Sequence, residues 1–130
     1  MQKTEGQGHY GDELILDLSG CNSAMFTRSS IREFLETLCD DILRMERHDL
    51  HFWDDEGVPP EEQQTDPRTK GTTAIQFILT SNVTIHTLDL LGAVYINVFS
   101  CDDFDPDKAA AFASEFFGAQ EYRSTVVPRG

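Results

Sequence analysis

The sequence predicts an α+β two-layer sandwich, an antiparallel sheet carrying two helices on one face. Three observations lead there: apolar and polar residues alternate over several short runs, two longer stretches repeat apolar residues at helical spacing, and the resulting order is β, α, β, β, β, β, α, β. Consecutive strands fold most directly as hairpins, which are antiparallel, and the helices then cover one side. At 130 residues the chain forms one domain over 1–130, long enough for a core and too short for two.

Residues 1–11 are polar and glycine-bearing, a frayed lead-in. The first strand spans 13–18, with Leu14, Leu16 and Leu18 on one face and Glu13, Ile15 and Asp17 on the other. Ser30 and Glu33 match a capping box, and Ile31, Phe34, Leu35, Leu38, Ile42 and Met45 follow at helical spacing. A helix over 30–46 should bury that stripe against the sheet, with Cys39 beside it as a small buried apolar group. His51, Phe52 and Trp53 begin a second strand, which runs into 54–72, a stretch rich in proline, acid and glutamine. Pro59, Pro60 and Pro67 forbid regular structure there, so it is a long loop, and such loops in small domains are functional or disordered. Alternation resumes over 73–79 and 83–88, and 93–99 sets Val94, Ile96 and Val98 opposite Tyr95, Asn97 and Phe99. Asp105 caps a second helix with Pro106 at its first position, Ala109, Phe112, Ala113 and Phe116 on one face and Gly118 as its stop. A last strand over 122–127 closes the chain, and the sheet face without helices needs a partner.

With 10 basic and 23 acidic residues the net charge is −13, which argues against nucleic acid or an anionic membrane as partner and suits solubility or a cationic substrate. No apolar run approaches the roughly 20 residues that span a bilayer, and no signal-peptide core stands at the N-terminus, so a cytoplasmic protein is expected. Three cysteines without CxxC spacing point to reduced thiols, and no metal site is visible.

The chemistry concentrates in 80–87, Thr80-Ser81-Asn82-Val83-Thr84-Ile85-His86-Thr87, between two strand-like runs, with Cys101 at the end of the second. A serine, a histidine five residues on and a cysteine at the next strand's end are reactive groups that adjacent antiparallel strands could assemble into a reaction centre.

Ser81 to Thr87, and then Val94-Tyr95-Ile96-Asn97-Val98-Phe99-Ser100-Cys101, resemble the pyruvoyl-dependent S-adenosylmethionine decarboxylases of the bacterial and archaeal type. Their segments read Glu-Ser-His-x-x-Ile-His-Thr-Trp-Pro-Glu and Val-Asp-Val-Phe-Thr-Cys-Gly. The likeness extends to Leu16-Asp17-Leu18-Ser19-Gly20-Cys21 and to Arg129-Gly130, so it spans nearly the whole chain. It implies a decarboxylase of polyamine synthesis acting on a small amine-bearing substrate, and a homodimer whose sheets pack face to face.

The residues make the same chemistry reasonable on their own. Decarboxylation of an amino acid leaves a carbanion that needs an electron sink, and no side chain is one. A ketone that condenses with the substrate amine supplies it. Serine becomes that ketone when its hydroxyl attacks the preceding carbonyl and the resulting ester eliminates, leaving an N-terminal pyruvoyl group. Ser81 is the expected precursor, with cleavage between Thr80 and Ser81 giving chains 1–80 and 81–130. By resemblance, His86 and Thr73 assist self-processing, Cys101 is the general acid, and Phe52 stacks on adenine.

The departures from the family are specific. Its glutamate before the cleaved serine is Thr80, its following histidine is Asn82, and the loop over 54–72 is an insertion. Its ribose-binding glutamate is Leu90, and Asp89 takes over that role only where the backbone bends, since neighbours on a strand face opposite ways. Losing that charged hydrogen bond costs about 1.5 to 3 kcal/mol. The acidic run of Asp54, Asp55, Glu56, Glu61 and Glu62 suggests a guanidinium or ammonium instead, which makes arginine or ornithine the alternative substrate. A non-catalytic, unprocessed homologue acting as a binding or regulatory subunit is the other class.

Overall fold

The computed structural model describes residues 9–130. The expected lead-in therefore lies outside the described residues up to residue 8, and Gly11 at its end already opens the first strand.

Among the described residues six strands form one sheet: β1 (Gly11–Ser19), β2 (Arg47–Trp53), β3 (Gly71–Ile78), β4 (Ser81–Leu88), β5 (Ala93–Ser100) and β6 (Glu121–Arg129). Their spatial order is β2-β3-β4-β5-β1-β6, and every neighbouring pair is antiparallel. The predicted two-layer architecture is the one observed, because alternation assigns each strand a core face and an open face. Leu14, Leu16, Leu18, Val83, Ile85, Val94, Ile96 and Val98 are buried under the helices. Trp53, Phe77 and Tyr95 stand on the other face, 61%, 44% and 40% exposed.

The helix layer is α1 (Arg28–Thr37) and α2 (Pro106–Phe117). Phe34 of α1 sits 5.5, 5.4 and 4.9 Å from the rings of Phe112, Phe116 and Phe117 of α2, so one aromatic cluster joins the two helices. Asp105 caps α2 as expected, accepting from the Asp107 and Lys108 N–H groups, and Gly118 ends it at φ 63°. The start of α1 differs from expectation. Its cap is Thr27, whose hydroxyl accepts from Ser30 N–H at 3.1 Å, so Ser30 lies within the first turn. The end differs too, because Leu38–Leu43 form a wider π-helical turn that Arg44 closes in the left-handed conformation. Leu38 and Leu43, five residues apart, are both buried by that wider turn, whereas Ile42 is only partly covered.

β2 begins earlier than the sequence suggests, so His51, Phe52 and Trp53 end the strand. A register shift against β3 between Arg47 and Leu50 breaks the alternation that would have revealed it. The long loop that follows contains a 3-10 turn at Pro60–Glu62 and is tied down by its own acids. Arg28 donates to Asp54 at 2.7 and 2.8 Å, Lys70 reaches Asp55 at 3.1 Å, and Gln64 N–H donates to Asp55 at 3.0 Å. Where the loop rejoins the sheet, a Cβ on Gly71 would fall 1.8 Å from the Thr87 carbonyl oxygen, so only glycine fits. Among the described residues no helix is long and apolar enough to cross a membrane.

Candidate active site

Pairing of Ile78 with Ser81 leaves a two-residue turn, Leu79 and Thr80, between β3 and β4. Thr80 has φ 52°, a left-handed backbone that a β-branched residue adopts at a cost of about 1 to 3 kcal/mol. The strained residue is the one whose carbonyl precedes Ser81. Its hydroxyl donates to the Leu79 carbonyl at 2.7 Å and lies 3.5 Å from Cys101 Sγ, just beyond β5. The Thr80 and Tyr10 hydroxyls hold the Cys101 thiol below its ordinary pKa, against burial and the charge of Asp102, which push it up. By contrast, burial raises Cys21 and pushes Cys39 up to about 12, so Cys101 is the activated thiol.

The Ser81 side chain points the other way, into the covered face. Its hydroxyl donates to Ser100 Oγ at 3.2 Å. Ser100 Oγ also accepts from Asp102 N–H at 3.0 Å and contacts Met45 Sδ at 3.5 Å. Sequence reasoning missed Ser100 and Met45. The available signal was parity: Ser100 continues the core-facing series Val94, Ile96, Val98.

A second cluster lies at the far end of β3 and β4. Thr73 Oγ1 and His86 Nδ1 are 2.9 Å apart, and lateral register sets Trp53, Thr73, His86 and Tyr95 in one row across four strands. A cavity of about 310 Å³ opens there, walled by Trp53, Thr73, His86 and Leu88 and, from the long loop, by Gln64 and Arg68.

The expected single centre is therefore divided. Ser81, Thr80 and Cys101 meet at one end of the sheet, Thr73 and His86 at the other. Ser81 and His86 are five residues apart on one strand, which puts their side chains on opposite faces and roughly 17 Å apart. One copy of the chain does not bring them together.

Phe52 is also placed away from His86. It pairs with Ala74 on the covered face, and its ring lies 5.3 and 5.4 Å from the Arg28 and Arg32 guanidinium carbons. The aromatic beside Thr73 and His86 is its neighbour Trp53, hidden from sequence reasoning because the loop obscures the β2–β3 register. Asp89 donates its N–H to the Lys70 carbonyl at 3.0 Å. Burial raises its carboxyl pKa, as do Asp55 and Asp54, while Lys70 opposes them, so it belongs with the loop's charges. Leu90 is exposed in the β4–β5 turn. Of the acidic run, Asp54 and Glu56 are bound to Arg28 and Asp55 to Lys70. Among the described residues no group of three or more His, Cys, Asp or Glu is placed to hold a metal ion.

A family model described as S-adenosylmethionine decarboxylase matches residues 12–130. An S-adenosylmethionine decarboxylase proenzyme from Geobacillus kaustophilus is 36% identical over 61 residues, 47% of this chain and 49% of that one. A proenzyme of the same description from Thermoanaerobacter is 36% identical over 62 residues, 47% of this chain and 50% of the other. These alignments thus span about half the length of the relatives they match. The crystal structure of the adenosylmethionine decarboxylase from Aquifex aeolicus superposes with a TM-score of 0.74 at 20% identity, covering 94% of this chain and 92% of that one, a likeness of fold.

Proposed function

Since this chain belongs to the S-adenosylmethionine decarboxylase family, we propose that it is a self-cleaving proenzyme whose pyruvoyl group forms from Ser81 and which decarboxylates a small amine-bearing substrate in polyamine synthesis. The observation that carries the proposal is the left-handed Thr80 directly before Ser81, with Cys101 Sγ 3.5 Å from the Thr80 hydroxyl. Strain in the peptide to be broken lowers the cost of converting it to an ester, and the residues present fit a carbonyl group formed at that point. Once formed, the group supplies the electron sink that decarboxylation requires. Cys101 holds a proton on Sγ at the open face, beside the new N-terminus, where a general acid is needed.

His86 and Thr73 join this centre in a homodimer. A second copy packed against the open face covers Trp53, Phe77 and Tyr95 and brings the partner subunit's His86 toward Cys101 and the Thr80–Ser81 peptide. The separation within one chain supports this arrangement, because the five-residue offset cannot be closed without unfolding β4.

For the substrate, Trp53 offers an exposed aromatic face beside Thr73 and His86, suited to stacking on the adenine of S-adenosylmethionine. Asp54, Asp55 and Glu56 are engaged by Arg28 and Lys70, so the acidic run offers less to a cationic amino acid than its composition suggests. Arginine or ornithine rests on Leu90, which accepts no ribose hydrogen bond.

Mass spectrometry of purified protein tests the proposal. Fragments 1–80 and 81–130 are expected, the second starting in pyruvoyl, with Ser81→Ala remaining one chain. His86→Ala chains should cleave when coexpressed with Ser81→Ala chains and fail alone. Wild type that stays intact on long incubation would overturn the proposal in favour of a non-catalytic homologue. Carbon dioxide release from S-adenosylmethionine, arginine and ornithine at equal concentration then ranks the substrates.

A further inference from the structure

We infer that Ser100 is a positioning residue for the self-cleavage, holding the Ser81 hydroxyl in place for attack on the Thr80 carbonyl; this rests on Ser81 being the cleavage residue. The register of β4 on β5, Asn82 opposite Phe99, sets Ser81 and Ser100 side by side at the mouth of the hairpin. Both face the helices, Ser81 7% exposed and Ser100 fully buried. Water therefore does not compete for either hydroxyl. A free serine samples three staggered rotamers, and the 3.2 Å bond from Ser81 to Ser100 Oγ selects one.

Ser100 is itself fixed. It accepts from Asp102 N–H at 3.0 Å and directs its own hydrogen to Met45 Sδ at 3.5 Å. Met45 follows Arg44, whose left-handed conformation ends the π-helical turn, so the helix layer helps set the position of the attacking oxygen. With the Ser81 hydrogen donated to Ser100, the Ser81 oxygen lone pairs are left for carbon.

The step balances without a co-reactant. The Ser81 Oγ–Thr80 C bond forms, the Thr80 C–Ser81 N bond breaks, and the hydroxyl proton ends on the freed Ser81 nitrogen. Ser100 accepts from the Ser81 hydroxyl until that proton leaves for nitrogen and from Asp102 N–H thereafter, and it keeps its own proton, since the Met45 thioether is too weak a base to take one.

Hydroxylamine isolates this step, because it cleaves the ester to give Thr80 hydroxamate and a fragment beginning with serine, both read by mass spectrometry. In the full-length precursor, Ser100→Ala should slow hydroxylamine-trapped and spontaneous cleavage together, by about 10- to 100-fold. Ser100→Thr, which keeps the hydroxyl, should recover most of the rate. Ser100→Cys, similar in size with a weaker acceptor, should fall between and serves should the alanine variant lose its fold. Trapping at the wild-type rate in Ser100→Ala would overturn the inference, as would equal slowing in Ser100→Thr. Wild type that shows neither trapping nor cleavage would instead remove the premise that Ser81 is cleaved.

Discussion

Cys101 has a thiol whose environment differs from those of the other two cysteines. The Thr80 hydroxyl, once turned from the Leu79 carbonyl, and the Tyr10 hydroxyl stabilise its thiolate, so its pKa in the folded protein falls below the ordinary 9.0, and the reactive form appears at lower pH than in an unperturbed thiol. Alkylation of the Ser81→Ala precursor with iodoacetamide should therefore label Cys101 first, with a rate that levels off at lower pH than a model thiol. Thr80→Val and Tyr10→Phe should each move that profile to higher pH. Preferential labelling of Cys21 or Cys39 would contradict this, since burial raises both. The residue types of this centre were legible in the sequence, because serine, histidine and cysteine carry their chemistry wherever they stand. Their faces were less so. Parity along β4 sets Ser81 against His86, and the choice between Phe52 and Trp53 hung on a register that a long loop conceals.

The elements were legible where the local signal was strong. Asp105, Pro106 and Gly118 bracket α2 because each answers a specific backbone demand, a free N–H, a fixed φ or a left-handed stop. The sequence puts the start of α1 at Ser30, three residues late, because Ser30 with Glu33 fits a capping box as well. The structure makes Thr27 the cap, so Thr27→Ala should cost about 1 kcal/mol in chemical denaturation, and Ser30→Ala less than about 0.5 kcal/mol. Equal losses would return Ser30 to the cap. The π-helical turn was masked because Ile42, four residues after Leu38, continues an ordinary helical stripe, whereas the wider turn buries Leu43, five residues on, in its place.

Over the whole molecule, the class, order and layering were legible from periodicity with caps and prolines, while strand order was not, because adjacency in space depends on which hairpin folds against which. That order bears on what a cut between Thr80 and Ser81 would do. Residues before the cut supply β1, β2 and β3, and residues after it supply β4, β5 and β6. In space the sequence β2-β3-β4-β5-β1-β6 lodges β1 of the first piece between β5 and β6 of the second. The ladders β3–β4, β5–β1 and β1–β6 would all join different pieces, so the two cannot part without dismantling most of the sheet. Cutting the backbone at this hairpin therefore leaves the shape intact but changes the order of the folding reaction. The uncut chain, diluted from denaturant, should regain its sheet in a unimolecular step, at a rate independent of its concentration and ahead of any pairing of copies. The cut protein must bring two molecules together, and its half-time should lengthen as it is diluted. Equal half-times for both forms across a tenfold dilution would show that one piece folds without the other, making the cut protein an assembly of two domains and not one fold held by two chains.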